Sequence, residues 1–173
     1  LHAFPANTMI SWTGEHDNHG IRPSLAFRFD VAMSGVLGIS NDLTRWDPET
    51  VKIAREKVTQ FKKIRETVHN GTLFRLSSPF EGNRAILQYT NEKMTESVIF
   101  FYQLEDQLKG SSVYPYQEQY VRLRGRDPGA MYRVEGENRV YSGHDLMATG
   151  IPYPLNRVYT SWVMVLKSEK NKD

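Results

Sequence analysis

The sequence contains no cysteine among its 173 residues. This absence excludes a disulfide framework, a zinc–thiolate site and a cysteine nucleophile. The absence of cysteine does not identify the cellular compartment of the protein, for which we favour the cytoplasm. No apolar run approaches the roughly 18 residues that a membrane-spanning helix needs. Neither sign of charge dominates, since 22 basic and 20 acidic residues leave a net charge of +2. Nucleic acid and membranes are therefore not expected partners.

The chain also lacks an initiating methionine and a signal-peptide core, because it opens at Leu1. We therefore expect it to begin within a longer protein. Hydrophobic residues make up 39% and charged residues 24%, which is typical of a globular chain. The length allows one domain, or one domain plus part of another.

Residues 1–46 have the pattern of an α/β layer. A short apolar run at 8–12 predicts a buried strand, a helix is predicted to open at 22–24, and a second strand is predicted at 36–39. The helix is apolar over more than one face, so it needs neighbours on several sides. Two strands cannot close such a layer alone, and we predict the end of a larger sheet or barrel.

Residues 47–70 predict the clearest helix of the chain. Asp47 suits the N-cap and Pro48 the first turn, and apolar residues then recur at spacings of three and four. The remaining positions mix basic and acidic side chains, which favours a solvated face over a nucleic-acid patch. Asn70-Gly71 predicts an ending in the left-handed conformation.

Residues 71–173 predict an antiparallel β-sandwich. Turn residues separate about seven short runs, which lie near 72–77, 84–90, 96–104, 118–124, 130–135, 138–142 and 157–167. Residues 98–102 do not alternate between apolar and polar, which predicts a central strand covered on both faces.

The densest polar cluster lies at residues 15–19. Two histidines with flanking carboxylates are compatible with a metal site, but no third ligand stands at a recognisable spacing. A sugar contact at the mouth of a cleft and an ordinary hydrogen-bonded loop are the alternatives. The neighbouring Trp12 is suited to stack on a sugar ring or to fill a core. The candidate substrate-binding residues are Trp12, Glu15, His16 and His19, and no metal and no cofactor are predicted.

Two other segments contain reactive residue types. Residues 142–145 include Ser, His and Asp, but adjacency in sequence does not produce the geometry of a catalytic triad. In the loop at 77–84, an ion pair between Glu81 and Arg84 is predicted to anchor the sandwich to the helical layer. No catalytic constellation emerges, so the residues alone do not give a function.

Three stretches nevertheless carry a family pattern. They are residues 17–22 with 35–43, residues 74–84 with Ser-Pro-Phe-Glu-Gly-Asn-Arg at their end, and residues 122–134 with 142–150. In order and spacing they resemble the C-terminal region of family-36 glycoside hydrolases, chiefly α-galactosidases. The resemblance covers almost the whole chain.

The resemblance implies an α+β fold. Residues 1–46 would be the last β/α units of a (β/α)8 barrel, 47–70 a linking helix, and 71–173 the C-terminal antiparallel β-sandwich domain. It also implies a homo-oligomeric parent enzyme that hydrolyses terminal α-galactosides with retention. In such enzymes one carboxylate attacks and a second, about 5 Å away, acts as acid and then base.

Both family carboxylates precede the matched region, and the nucleophile motif Lys-Trp-Asp does not occur in the chain. No catalytic residue is therefore assigned, and the segment is expected to be structural. Residues 9–17 depart from the family's Gly-Ala-His-Val-Ser strand, which leaves specificity for galactose, N-acetylgalactosamine or a longer raffinose-type substrate open. The alternative is a free-standing carbohydrate-binding or protein-interaction module, although an apolar helix is unexpected in such a module.

Overall fold

A computed structural model describes residues 4–14, 23–104 and 120–169. Over these ranges the chain is a mixed α/β structure with one large antiparallel sheet. The combination of helices with an antiparallel sheet agrees with the sequence prediction. None of the helices in these ranges is long and apolar enough to cross a membrane.

A parallel strand pair opens the described chain. β1 (Ile10–Gly14) lies beside β2 (Val36–Ser40), and α1 (Leu25–Ala32) stands between them in sequence. α1 begins after Ser24, whose hydroxyl accepts the Phe27 N–H at 3.2 Å and so satisfies a free donor of the first turn. The predicted order of strand, helix and strand is confirmed, with the first strand displaced toward Gly14.

α2 (Pro48–Asn70) is the long helix that the sequence predicts. The Asp47 side chain accepts the Thr50 N–H at 2.8 Å, and this hydrogen bond lowers the pKa of the Asp47 carboxyl. The predicted left-handed ending is wrong, because Gly71 has a φ of −80°. Glycine provides space there instead, since a Cβ on Gly71 would stand 2.7 Å from the Thr90 carbonyl oxygen.

Eight strands and one short helix follow α2 in the described ranges. In chain order they are β3 (Thr72–Ser77), β4 (Arg84–Thr90), β5 (Glu96–Gln103), β6 (Tyr120–Val121), β7 (Met131–Val134), β8 (Val140–Ser142), α3 (Gly143–Ala148), β9 (Ile151–Pro152) and β10 (Thr160–Ser168). Six of these strands form one antiparallel sheet in the order β3, β4, β5, β10, β7, β8. β6 and β9 pair in a separate ladder.

β5 is the central strand, and its side chains are buried on both faces of the sheet. The unbroken apolar run at 98–102 predicts this position, and the prediction is confirmed. Ile99 and Phe101 enter one core, which β6, β9 and α3 cover. Val98 and Phe100 enter a second core, which α1 and α2 cover. The same strand therefore ties together both halves of the fold.

The second sheet of the predicted sandwich is small in the described residues. β6 covers only Tyr120–Val121 of the strand predicted at 118–124. Beyond it, the Gln88 side chain accepts the Arg124 N–H at 3.0 Å and donates to the Arg124 carbonyl, which replaces a strand partner. α3 and β9 are absent from the predicted elements, and helices rather than strands cover the opposite face.

Candidate functional site

The carboxyl end of the strand pair is the place at which a binding site is expected. Binding and catalytic residues of α/β layers gather at this end of parallel strands. Gly14 ends β1 there. Of the predicted site residues, Trp12 lies on β1 itself. The others lie outside the described residues, namely Glu15, His16 and His19.

Trp12 stands on the open face of the strand pair. It is 64% exposed, and Ile10 on the same face is 60% exposed. The indole packs against Gly38, its register partner on β2, where a Cβ would stand 2.5 Å from the ring. The tryptophan is therefore not a core residue. Its ring can contact a ligand or a further part of a longer chain.

Arg28 of α1 holds the end of β1. Its Nη1 donates a hydrogen bond to the Gly14 carbonyl oxygen. The Nε of the same guanidinium is buried and has no hydrogen-bond partner in the described residues. A cation thus caps the last carbonyl of the strand, where a strand end would otherwise bind water.

Asp30 connects α1 to three other elements. Its side chain is 3% exposed, and its Oδ1 lies 2.6 Å from the Lys57 ammonium of α2. Its Oδ2 accepts the Ser161 hydroxyl of β10 at 2.7 Å. The Asp30 backbone carbonyl accepts the Tyr102 hydroxyl of β5 at 2.8 Å. A buried carboxylate is tolerated here because both of its oxygens have partners.

Two more side chains hold the turn between α1 and β2. The Tyr89 hydroxyl donates to the Ser34 carbonyl at 2.6 Å, and the His69 Nε2 lies 3.3 Å from the Gly35 carbonyl oxygen. Burial raises the pKa of the Tyr89 and Tyr102 hydroxyls. Both hydroxyls therefore stay protonated and able to donate at neutral pH.

The reactive residue types at 142–145 do not form a triad. Ser142 accepts the Asp145 N–H at 2.9 Å, which makes this serine the N-cap of α3. His144 is exposed beside it. No group of three or more histidine, aspartate or glutamate side chains that could hold a metal occurs in residues 4–14, 23–104 or 120–169.

The loop at 77–84 lies beside a cleft of about 590 Å³. Within it, the Arg84 guanidinium stands 3.9 Å from the centre of the Tyr153 ring. The cleft opens on the face of the sheet that carries Ile86, against which Leu123 packs, whereas α2 covers the opposite face. The prediction that Arg84 anchors the helical layer is therefore wrong.

Residues 84–166 match the family model for the glycosyl hydrolase family 36 C-terminal domain. The chain belongs to glycosyl hydrolase family 36. The predicted resemblance to family 36 is thereby confirmed, and the matched segment contains the third of the three sequence stretches, 122–134 with 142–150. The match begins with β4 and ends in β10, so it contains the central strand and the ladder of β6 and β9.

Relatives of the family 36 chain extend the match toward β1. α-Galactosidase AgaA of Geobacillus stearothermophilus is 31% identical over 153 residues, which is 87% of this chain and 20% of that protein. α-Galactosidase C of Emericella nidulans is 30% identical over 172 residues, which is 96% of this chain and 22% of that protein. The chain spans about a fifth of the length of these curated relatives.

The fold matches as well as the sequence. A crystal structure of a family 36 α-galactosidase AgaA variant from Geobacillus stearothermophilus, in complex with raffinose, aligns with a TM-score of 0.82 at 30% identity. The alignment covers 95% of this chain and 22% of that one.

Sequence patterns missed two residues that organise this part of the family 36 chain, Arg28 and Asp30. One signal was present, because both are charged residues inside the otherwise apolar helix near 25–33. A charged group at such a position needs a partner. The sequence does not show that Lys57 and Ser161 supply it for Asp30.

Proposed function

We propose that the chain is the C-terminal portion of a retaining α-galactosidase that hydrolyses terminal α-galactosides, and that this portion is structural and non-catalytic. Curated relatives that carry the name α-galactosidase match most of this chain, while the chain covers about a fifth of their length. In this proposal residues 1–46 end a (β/α)8 barrel, 47–70 form the linking helix, and 71–173 form the β domain.

The observation that carries the proposal is the open parallel strand pair. β1 and β2 pair only with each other in the described residues, and Ile10 and Trp12 project from their open face. Parallel strands in proteins are normally covered on both faces. We infer that a longer polypeptide supplies further strands at the edges of this layer and covers the face around Ile10, whereas Trp12, nearer the carboxyl end of β1, stays open to a ligand.

The β domain has a stabilising role in this proposal. It contacts α1 at Asp30 and the turn that follows α1 at Ser34, and His69 of the linking helix lies beside the Gly35 carbonyl oxygen. These contacts are too deeply buried to touch a sugar, so they act on the position of α1 and β2. Active sites of (β/α)8 barrels stand at the carboxyl ends of the strands. A fixed strand position therefore matters for catalysis.

We further infer that Trp12, Glu15, His16 and His19 contact the sugar. The exposed indole of Trp12 supplies an apolar surface for stacking, and the other side chains supply hydrogen bonds. Retaining hydrolysis needs two carboxyl groups, which the proposal assigns to an upstream region. The parent enzyme is also proposed to be a homo-oligomer, which light scattering would test.

Two preparations test whether the catalytic activity lies outside this chain. They are the 173-residue chain alone and a polypeptide with the length of the relatives. On p-nitrophenyl α-galactoside we expect turnover by the longer polypeptide only. Turnover by the chain alone would contradict the non-catalytic role. Absence of turnover by the longer polypeptide would contradict the proposed function itself.

The substrate contact of Trp12 has its own test in the longer polypeptide. Trp12→Ala is expected to raise KM for an α-galactoside, because a stacking surface is lost, while Ile10→Ala on the same face serves as the matched control. Equal effects of the two changes would contradict a sugar contact. The alternative of a free-standing binding module predicts that the chain alone binds galactosides in calorimetry, and such binding would favour it.

A further inference from the structure

The contacts of α1 carry an inference that rests on the proposed function. We propose that Arg28 is a positioning residue for the glycosidase reaction, because it fixes the carbonyl at the carboxyl end of β1. Gly14 is the last residue of that strand. The Arg28 Nη1 donates to its carbonyl oxygen. Hydrogen bonds from a charged donor are shorter and stronger than neutral ones.

The bond sets the orientation of a whole peptide unit. A peptide group is planar, so a fixed carbonyl oxygen at Gly14 fixes the plane of the peptide unit at the end of the strand. The buried Nε of Arg28 has no other partner in the described residues. Within residues 4–14, 23–104 and 120–169, no competing hydrogen bond at Nε therefore draws the guanidinium away from the strand end.

The helix that carries Arg28 is itself fixed to the β domain. Two residues further along α1, Asp30 binds Lys57 and Ser161 at 2.6 and 2.7 Å. The Tyr102 hydroxyl holds the Asp30 carbonyl at 2.8 Å. A continuous set of contacts thus leads from the central sheet through α1 to the end of β1.

The expected consequence concerns kcat. Arg28 stands on α1, and in this proposal it acts through the Gly14 carbonyl and not by contact with the sugar. Reacting groups at the carboxyl ends of barrel strands must keep their geometry. A displacement of about 1 Å can lower a rate about 100-fold. Loss of the Arg28 contact should therefore lower kcat more than it raises KM.

The test uses the longer polypeptide and three variants. Arg28→Met removes the donor, Arg28→Lys keeps a cationic donor with a different reach, and Arg65→Met changes an exposed arginine of α2 as the matched control. Well below the unfolding temperature, we expect kcat to fall about 10- to 100-fold in R28M with KM within about threefold. R28K should lose less, and R65M should keep both constants.

Hydrogen exchange provides a readout that does not depend on activity. Amide exchange in the peptide that contains Gly14 should become faster in R28M and R28K, and it should stay unchanged in R65M. Unchanged exchange at this peptide overturns the positioning role even if the enzyme is inactive. Faster exchange with wild-type kcat also overturns it.

Failure of the proposed function has a different signature, because the wild-type longer polypeptide would then show no α-galactoside turnover. Wild-type and R28M exchange still decide whether Arg28 fixes the strand end. If R28M does not fold, R28K decides by the same two criteria.

Discussion

Removal of Lys57 tests how α1 is held on the sheet. Lys57→Met deletes the ammonium that stands 2.6 Å from the Asp30 carboxylate and keeps an unbranched side chain. The Ser161 hydroxyl then remains as the one side-chain partner of Asp30 in the described residues. Because the Asp30 side chain is 3% exposed, water has little access to replace the lost cation.

The magnitude follows from this burial. Loss of one partner from a buried ion pair lowers the free energy of unfolding by about 3–5 kcal/mol. The Lys57 side chain is 21% exposed, so solvent screens part of the interaction. We therefore expect K57M to lower the free energy of unfolding by about 3 kcal/mol, at the low end of that range. Asp30→Asn should lower it by about 1.5–3 kcal/mol, since Lys57 and Ser161 lose a charged acceptor.

The double variant makes the reasoning specific to the pair. With both D30N and K57M in place, no uncompensated charge stays buried. The double variant should therefore lose at least about 1 kcal/mol less than the sum of the two single changes. Urea unfolding of the 173-residue chain, followed by circular dichroism, measures all three free energies.

Lys62→Met on the exposed side of α2 is the control, and it should stay within about 0.5 kcal/mol of wild type. A loss below about 1 kcal/mol in K57M would refute the role of the ion pair. Strict additivity in the double variant would refute the coupling.

Three further predictions concern other buried or crowded groups. Arg126→Met should raise the free energy of unfolding by about 1 kcal/mol, because burial of the guanidinium lowers its pKa to about 10, and the contact with the Tyr132 ring at 4.9 Å offsets only part of that burial; a lower urea midpoint would contradict this. Gly38→Ala should displace the Trp12 ring, shift the tryptophan emission and lower the free energy of unfolding by about 1–3 kcal/mol. An unchanged emission spectrum would argue against the packing of the indole on Gly38. Burial raises the pKa of Tyr89 and Tyr102 above that of the unfolded chain, so their contribution to stability is complete below about pH 10 and is lost as the pH rises above it. Tyr102→Phe should make that decline shallower in urea titrations between about pH 9 and 11, and parallel curves would contradict the assignment.

Local patterns predicted most regular elements because their signals are short in range. The Asp47 cap and the spacing of apolar residues defined α2, and the unbroken run at 98–102 identified the central strand. The predicted end of α2 was wrong because Asn-Gly signals a left-handed turn, whereas a Cβ at Gly71 would meet the carbonyl oxygens of Thr67 at 2.4 Å and of Thr90 at 2.7 Å. The approach of Thr90 is a tertiary contact, which sequence spacing does not encode.

The candidate site could be predicted only in part, for a related reason. Trp12 was identified by its residue type and its position next to the polar cluster at 15–19, and its exposure is compatible with the proposed sugar contact. Asp30 and Lys57 are 27 residues apart, and Asp30 and Ser161 are 131 apart. Partners at such separations are fixed by the fold. The resemblance to family 36 identified the region, but it assigned no role to these residues.

The distribution of the second core bears on whether the β domain is a separable module. Residues 1–46 are called the α/β unit here. Its Met33, together with Val68 of α2 and Phe100 of β5, is fully buried in one cluster. Removal of residues 1–46 would expose the apolar face on which α1 packs and would leave the Tyr89 and Tyr102 hydroxyls without their carbonyl acceptors. Buried hydroxyls without partners and exposed apolar surface both destabilise a fold. The β domain is therefore expected to depend on the α/β unit, which favours the supporting role over the free-standing module.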